Sequence, residues 1–291
     1  MALSDPAPGA ISALQPHEIA AANALVCEAG WNQVDADWRI FLALGQVYAM
    51  RDGGGHVVAT AATLSHGQKF AWISMVLVRG AFRRQGLATL LLRRCIDDLT
   101  ARGCVPILDA TPAGREVYRA LGFEDVWGYH RLALQAAAQA RIAPRPHGVE
   151  IRPIDETAWR DICDYDAAAF GARRDALLAG LRGRLPGAEY CAVAGDRIVG
   201  FLLGRDGRVA SQLGPLIADN DEIAIALLQR ALAAIPAPIF IDLADTRSAV
   251  LGYLSAAGFA PQRPLTRMQL GSGDRFDDPL RTYAVAGPEF G

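Results

Sequence analysis

The stretch that decides the fold runs from Val76 to Thr89 and reads VLVRGAFRRQGLAT. It opens with the end of a nearly continuous apolar run, residues 70–78, which predicts a strand buried on both faces. A turn with three arginines follows, and Gly86 opens the apolar stripe of a helix predicted over 86–101. Free N–H groups and the positive dipole end at such a helix start favour an anion-binding turn. An ordinary strand-to-helix turn with solvated arginines is the other interpretation.

Outward from this turn, the hydrophobic patterns predict a mixed sheet with helices on its faces. The patterns place strands at 11–14, 47–50, 57–64, 70–78, 105–109 and 126–134, and helices at 16–28, 35–44, 86–101 and 114–121. This order is not a regular βαβ repeat, so it predicts an α/β (α+β) domain and excludes a dinucleotide-binding fold.

Composition limits the class of protein. The chain has 291 residues, is 52% hydrophobic and 21% charged, and carries a net charge of -2. These values exclude a disordered chain, a coiled coil and a collagen-like repeat, and the length favours two domains. The near-neutral charge gives no reason to expect a nucleic-acid partner. The most apolar stretch, residues 223–241, is interrupted by Gln229, Arg230 and two prolines, so no membrane partner is expected and the expected location is the cytoplasm.

Cysteine and histidine spacing gives no metal or disulfide signal. The five cysteines are widely separated without a CxxC pair, and the five histidines share no ligand spacing with one another or with cysteine. We therefore expect no metal and no disulfide framework.

A weak internal repeat predicts a duplication. Residues 11–14 and 151–154 match at an offset of 140, and Gly122-Phe123 matches Gly258-Phe259 at an offset of 136. The segment between the two halves, residues 138–148, is punctuated by prolines and glycine and reads as a linker. The predicted domains are therefore residues 1–137 and 149–291, and the second lacks about four residues relative to the first.

Two motifs in the first half carry a resemblance to a known family. Arg83-x-x-Gly86-x-Ala88 resembles the Q/R-x-x-G-x-G/A motif of the GCN5-related N-acetyltransferases (GNAT), and Tyr118-x-x-x-Gly122-Phe123 resembles the end of that family's later helix. Residues 30–38, 72–78 and 108–114 look like its bacterial branch with two tandem domains. The resemblance implies two tandem GNAT-like domains, each a mixed, mostly antiparallel sheet flanked by helices.

The resemblance also implies acetyl-CoA as the acyl donor. Loop amides would hold its pyrophosphate, and the preceding strand would pair with its pantetheine arm. The cofactor-binding residues implied in this way are Val76, Leu77, Val78, Arg83, Arg84, Gln85, Gly86, Leu87, Ala88 and Thr89.

Two residues are candidates for proton transfer. Tyr118 matches the family's tyrosine that protonates the departing thiolate, although it could instead be a packed aromatic on an amphipathic helix. Asp109, at the end of a predicted buried strand, is the first candidate for the base or for an anchor of the acceptor ammonium. A cap for the next helix accounts for Asp109 equally well.

The acceptor side implied by the resemblance comprises Trp31, Asn32, Gln33 and Asp37. Aromatic, amide and carboxylate groups together suit a small-molecule amine with apolar or cationic character. Structural packing is at least as good an account of the neighbouring Trp38.

The second domain differs at the position of the anion-binding turn. Asp219, Asp221 and Glu222 stand where the first domain has three arginines, and no glycine remains. Because acidic groups repel a pyrophosphate, we predict a degenerate domain without an intact cofactor loop, which either lines the acceptor pocket or stabilises the first domain.

The function predicted from these observations is transfer of an acetyl group to a primary amine by direct attack in a ternary complex. A non-catalytic acyl-CoA-binding regulatory module is the alternative. The tandem arrangement mimics a dimer and is compatible with a monomer.

Overall fold

The structure is a computed structural model that describes residues 9–137, 146–271, 273 and 275–291. The chain forms two compact units, of which the first ends at Leu108 and the second begins at Asp109. The linker predicted at 138–148 falls largely outside the described residues, so the domain bounds drawn from it stay a prediction.

The first unit is a sheet in the order β1-β2-β3-β4-β5, antiparallel except for the β4–β5 pair. The predicted helix at 35–44 and strand at 70–78 are confirmed at both ends, whereas the first predicted helix begins as a short 3₁₀ turn. The elements are β1 (Ser12–Ala13), a 3₁₀ turn (Pro16–Glu18), α1 (Ile19–Glu28), α2 (Asp35–Leu44), β2 (Gly45–Arg51), β3 (Val57–His66), β4 (Phe70–Val78), a second 3₁₀ turn (Gly80–Phe82), α3 (Leu87–Ala101) and β5 (Val105–Ala110).

In the second unit the strand order is β12-β6-β11-β13-β10-β9-β8-β7, and most pairs are antiparallel. Its elements are α4 (Pro112–Arg119), β6 (Phe123–Leu134), β7 (Glu150–Pro153), α5 (Glu156–Phe170), α6 (Asp175–Leu181), a 3₁₀ turn (Pro186–Ala188), β8 (Tyr190–Ala194), β9 (Arg197–Arg205), β10 (Ser211–Ala218), α7 (Asp221–Ala234), β11 (Ile239–Ala244), α8 (Ser248–Ala256), β12 (Ala260–Leu270) and β13 (Thr282–Ala284).

Element order along the chain confirms the duplication. The series β7-α5-α6-β8-β9-β10-α7-β11-α8-β12 repeats β1-α1-α2-β2-β3-β4-α3-β5-α4-β6 element by element. The matching last strands, β6 and β12, pair with each other antiparallel, from Phe123 opposite Leu270 to Ala133 opposite Ala260.

Helix packing follows the predicted periodicity. The α3 side chains of Leu87, Leu91, Leu92, Cys95 and Leu99 are buried, which is the apolar stripe expected of a helix on a sheet. In the second unit α7 and α8 pack in one apolar cluster with leucines and isoleucines of β6, β10 and β11. No helix within the described ranges has both the length and the apolar character needed to cross a membrane.

Candidate functional site

The loop between β4 and α3 has an unusual backbone. Arg84 has φ +61° and Gly86 has φ +80°, so two residues in the left-handed region turn the chain just before the helix begins. A Cβ placed on Gly86 would meet no atom within 4 Å. The positive φ, rather than lack of space, therefore explains the glycine, and the space above this backbone is open to a ligand.

The start of α3 is suited to an anion. No side chain caps this helix, and its first turn contains no acidic residue. The first amides of a helix have no partner within the helix, so those of α3 present N–H groups together with the positive end of the helix dipole. This arrangement can hold a phosphate without a metal ion.

Charged side chains fix and flank the loop. Glu28 Oε1 accepts a short hydrogen bond from the Gly80 amide and lies 3.6 Å from Arg83 Nη2. Arg83 Nε also donates to the Val78 carbonyl at 3.0 Å, so this arginine braces the loop. Arg84 is exposed and makes no hydrogen bond or ion pair with the part of the chain that the structure describes. Arg84 therefore keeps its charge available for a ligand.

Strand β4 contains a bulge that the sequence did not indicate. Thr60 pairs with Leu77 and Ala62 with Ser74, so Met75 and Val76 both face Ala61. Met75 has φ +52°, and Thr60 Oγ1 donates to its carbonyl at 2.9 Å. A bulge takes a residue out of the regular ladder, which leaves a backbone N–H of this segment available to a developing oxyanion. Methionine has no preference for positive φ, so no sequence signal pointed here.

The described pairing of β4 with its parallel neighbour β5 is confined to the start of β4. The described pairing of β4 with β5 ends at Trp72 opposite Ile107, six residues before β4 ends. Ser74 lies just beyond these described pairs, and its buried hydroxyl has no hydrogen-bond partner among the described residues. The sequence indicated only a strand residue at Ser74.

The predicted acceptor-side residues lie on the loop before α2 and on its first turn. Asn32, Gln33 and Asp37 are buried, whereas Trp31 is half-buried. Asp37 Oδ2 accepts a hydrogen bond from the Val34 amide at 2.8 Å and so holds the start of the helix. The Oε1 atom of Gln33 is buried without a described partner, which makes it the best placed of the four to receive a ligand hydrogen bond.

Trp38 is a packed core residue, which is the structural alternative given for it above. It is fully buried, and its Nε1 donates to Asn23 Oδ1 at 2.9 Å.

Asp109 lies in the second unit, where it forms an ion pair. Its oxygens accept hydrogen bonds from Arg267 Nε at 2.9 Å and Arg267 Nη2 at 3.0 Å, and the carboxylate is fully buried. The cap of α4 is instead Thr111, whose Oγ1 accepts from the Gly114 amide at 3.3 Å. The helix-cap account of Asp109 is therefore wrong, whereas its role as base or anchor stays a prediction.

Tyr118, also in the second unit, is half-buried on α4 with its ring 6.1 Å from that of Phe123. Burial raises the pKa of its hydroxyl, so Tyr118 is protonated at neutral pH as a proton donor must be. A Cβ on Gly114 would lie 3.0 Å from the Tyr118 ring, so this glycine makes room for it. The same contacts fit the packing alternative.

The matching loop of the second repeat is closed by its own side chains. Only Asp219 and Asn220 separate β10 from α7, whereas the eight residues 79–86 separate β4 from α3. Four of the six residues of difference are the predicted shortening, and the other two belong to α7, which begins two residues earlier in its repeat than α3 does. Asn220 Oδ1 caps the helix by accepting from the Ile223 amide at 3.0 Å. Asp221 accepts from Tyr283 Oη at 2.7 Å, and Asp219 from Tyr165 Oη at 2.8 Å.

Two protein-family models match the chain in tandem. One, described as the acetyltransferase (GNAT) family, matches residues 21–123, and the other, described as the acetyltransferase (GNAT) domain, matches residues 162–284. Each match contains one of the two loops compared above.

Individual relatives are similar over most of the chain. The uncharacterized N-acetyltransferase YitH of Bacillus subtilis strain 168 is 21% identical over 236 residues, which cover 80% of this chain and 81% of YitH. A candidate acetyltransferase from Pyrococcus horikoshii has a similar fold, with a TM-score of 0.78, 21% identity and coverage of 97% of this chain and 95% of that chain. A tandem GNAT protein from the clavulanic acid biosynthesis pathway has a TM-score of 0.66 and 13% identity, covering 91% of this chain and 99% of its own.

Proposed function

Because the chain belongs to the GCN5-related N-acetyltransferase superfamily and carries two tandem GNAT domains, we propose that it transfers the acetyl group of acetyl-CoA to a primary amine of a small molecule. Family membership supports an acyltransferase enzyme, and acyl transfer is the general activity. The observation that carries the finer proposal is the uncapped start of α3 behind the left-handed turn at Gly86.

The proposed donor site uses backbone more than side chains. The amides of residues 84–89 would hold the pyrophosphate, and Arg84 would add charge without first leaving another partner. Residues 76–78 of β4 would offer their backbone to the pantetheine arm. Because the first repeat supplies these groups and the second does not, we assign one coenzyme to the chain.

Direct transfer needs a stabilised oxyanion and a proton for sulfur. The amine attacks the thioester carbonyl, the carbon–nitrogen bond forms, and the carbon–sulfur bond breaks. A backbone N–H of the bulge at Met75 and Val76 would stabilise the oxygen as its charge develops. Tyr118 would give its proton to the departing thiolate.

The acceptor amine must lose a proton before or during attack. Because Arg267 already donates two hydrogen bonds to the Asp109 carboxylate, we assign Asp109 the role of an electrostatic anchor for the acceptor ammonium rather than that of the base. A water-relayed path to solvent would then take the proton. Gln33 would accept a hydrogen bond from the acceptor through its unsatisfied oxygen.

Thiol release tests the proposal. The full chain is incubated with acetyl-CoA and a panel of amines, amino acids and aminoglycosides, and free thiol is measured. At least one amine should accelerate thiol release above the rate without acceptor, and mass spectrometry should show the acetylated amine. Tight coenzyme binding without accelerated release by any amine would contradict the proposal and favour the non-catalytic module.

A further inference from the structure

One face of the second unit's sheet carries a row of charged residues. Arg131 of β6 lies directly opposite Asp242 of β11 and Arg263 of β12. Directly opposed residues project to the same face, and so do residues two apart along a strand. Tyr129 therefore shares this face with the three charged residues, beside Leu265 of β12.

Buried arginines in this part of the sheet have carboxylate partners. Arg131 donates from Nε and Nη2 to the two oxygens of Asp242, at 2.8 and 2.7 Å. Arg205 forms a short ion pair with Glu289, and Arg267 pairs with Asp109. Each buried guanidinium is thereby compensated, as charges in low dielectric must be.

Arg263 is the exception. Its side chain is partly buried, yet it forms no ion pair with any carboxylate of the described residues, and its Nε is buried without a hydrogen-bond partner. Burial and the neighbouring positive charge of Arg131 lower the pKa of Arg263. The row therefore holds one positive charge more than its own carboxylates balance.

Unused hydrogen-bond donors lie on the same face. Tyr129 is fully buried and its hydroxyl has no described partner. Burial raises its pKa well above the ordinary value, so the hydroxyl retains its proton and can donate. Trp127, two residues earlier on β6, likewise has a buried Nε1 without a described partner. Unsatisfied buried donors cost free energy, which an acceptor from a ligand would recover.

We propose that this face of the second unit binds a small-molecule carboxylate, with Arg263 as the anion-binding residue and Tyr129 as a hydrogen-bond donor. A guanidinium matches a carboxylate in planar shape and charge. Asp242 and Glu289 also lie within electrostatic reach of Arg263, so a singly charged carboxylate is favoured over a dianionic phosphate. The carboxylate belongs either to the acyl acceptor itself or to a separate effector.

Butyrate and 4-aminobutyrate are matched probes, because only the second carries an amine. Calorimetric titration of the full chain at constant ionic strength should detect binding of both. Arg263→Met should lose at least about tenfold in affinity for each, because charge-assisted hydrogen bonds are lost. Tyr129→Phe should weaken binding by a smaller factor. Arg197→Met, at an exposed arginine of β9, is the control and should bind like the parent.

Stability of the unliganded variants separates a ligand site from a structural arginine. Because Arg263 is partly buried without a counter-charge, Arg263→Met should unfold at the same temperature as the parent or higher. No binding of either probe to the parent, or equal binding to Arg263→Met, overturns the proposal. A lower unfolding temperature of Arg263→Met combined with unchanged affinity shows a structural role and also overturns it.

Turnover identifies the source of the carboxylate. If 4-aminobutyrate is acetylated and butyrate competes with it, the site holds the acceptor. If neither probe is acetylated and both change the turnover of another amine without competing with it, the site holds an effector. Binding is measured without acetyl-CoA, so failure of the acetyl-transfer proposal and failure of this one give different results.

Discussion

Tyr118 is the residue on which the proposed proton transfer depends. Tyr118→Phe keeps the ring against Phe123 and removes only the hydroxyl. We expect kcat to fall by about 10²–10⁴-fold, the range typical of losing a general acid, while the acetyl-CoA dissociation constant stays the same. Steady-state kinetics and calorimetric titration check the two expectations. Equal kcat for variant and parent, with the chemical step shown to limit the rate, would mean that Tyr118 only packs.

Alkaline pH gives an independent check on Tyr118. Its pKa is raised above the ordinary value of about 10 by burial, so the donor form persists as pH rises to about 10 and is lost only above it. Deprotonation of Tyr118 should therefore not lower the kcat of the parent between about pH 7 and 9. Any decrease of kcat in this interval has another cause and should be present in Tyr118→Phe as well. A decrease in that interval which disappears in the variant would contradict the assignment.

Gly86 tests the donor loop. Gly86→Glu places a negative charge at the start of α3, and we expect acetyl-CoA binding to weaken by at least about tenfold through repulsion of the pyrophosphate. Gly103→Glu is the matched control, because Gly103 follows the same helix, has φ +72° and likewise has open space at its Cβ. Both variants carry the same backbone strain. Equal loss of affinity in both would remove the loop assignment.

Some single residues can be recognised from the neighbouring sequence, and others cannot. Gly86 was singled out from the sequence because glycine at a helix start lets a ligand approach the backbone closely, and its φ of +80° also favours glycine. The left-handed Met75 and the ion pair of Asp109 with Arg267 were not predicted. The first depends on strand register and the second on a partner 158 positions away, so neither leaves a trace in the neighbouring sequence.

At the scale of elements, the buried Arg131–Asp242 pair joins β6 to β11. Arg131→Met leaves Asp242 charged and buried, so we expect the free energy of unfolding to fall by about 3–5 kcal/mol. The double variant Arg131→Met with Asp242→Leu should recover part of this loss because neither charge remains. Denaturant unfolding of the parent and the variants checks both values. A double variant less stable than Arg131→Met would contradict the explanation that the loss comes from an unpaired buried charge at Asp242.

Elements with a strong period were predicted closely, and elements without one were not. The bounds of α2 and β4 follow from uninterrupted helical and apolar patterns. In contrast, α4 begins two residues earlier than predicted, because Thr111 and Pro112 start the helix before the apolar pattern does. The 3₁₀ turn at Gly80–Phe82 has no periodic signal and was missed.

For the whole molecule, we expect one acetyl-CoA per chain. The start of α3 is open, whereas the start of α7 is capped by Asn220 and carries Asp221 and Glu222 in its first turn. Calorimetric titration of the parent should give a stoichiometry of one, and Gly86→Glu should weaken binding at that one site. Two equivalents per chain in the parent, or one equivalent that keeps the parent's affinity in Gly86→Glu, would place a coenzyme in the second repeat.

The duplication was predictable because matching short segments recur at nearly constant offsets of 140 and 136, and the element order confirms it. How the second unit assembles was not. The pairing of β6 with β12 joins strands more than a hundred positions apart, and the sequence of neither strand indicates which strand it pairs with.

That pairing sets the order of events on the ribosome. β6 is complete at Leu134, but its two neighbours, β11 and β12, are not synthesised until after residue 238. At translation rates of about 5–20 residues per second, β6 waits roughly 5–20 s with both edges unpaired. Unpaired edges recruit other strands, so the nascent chain is most exposed to aggregation and most dependent on chaperones during this interval. A chain truncated after residue 137 would remain in that state permanently.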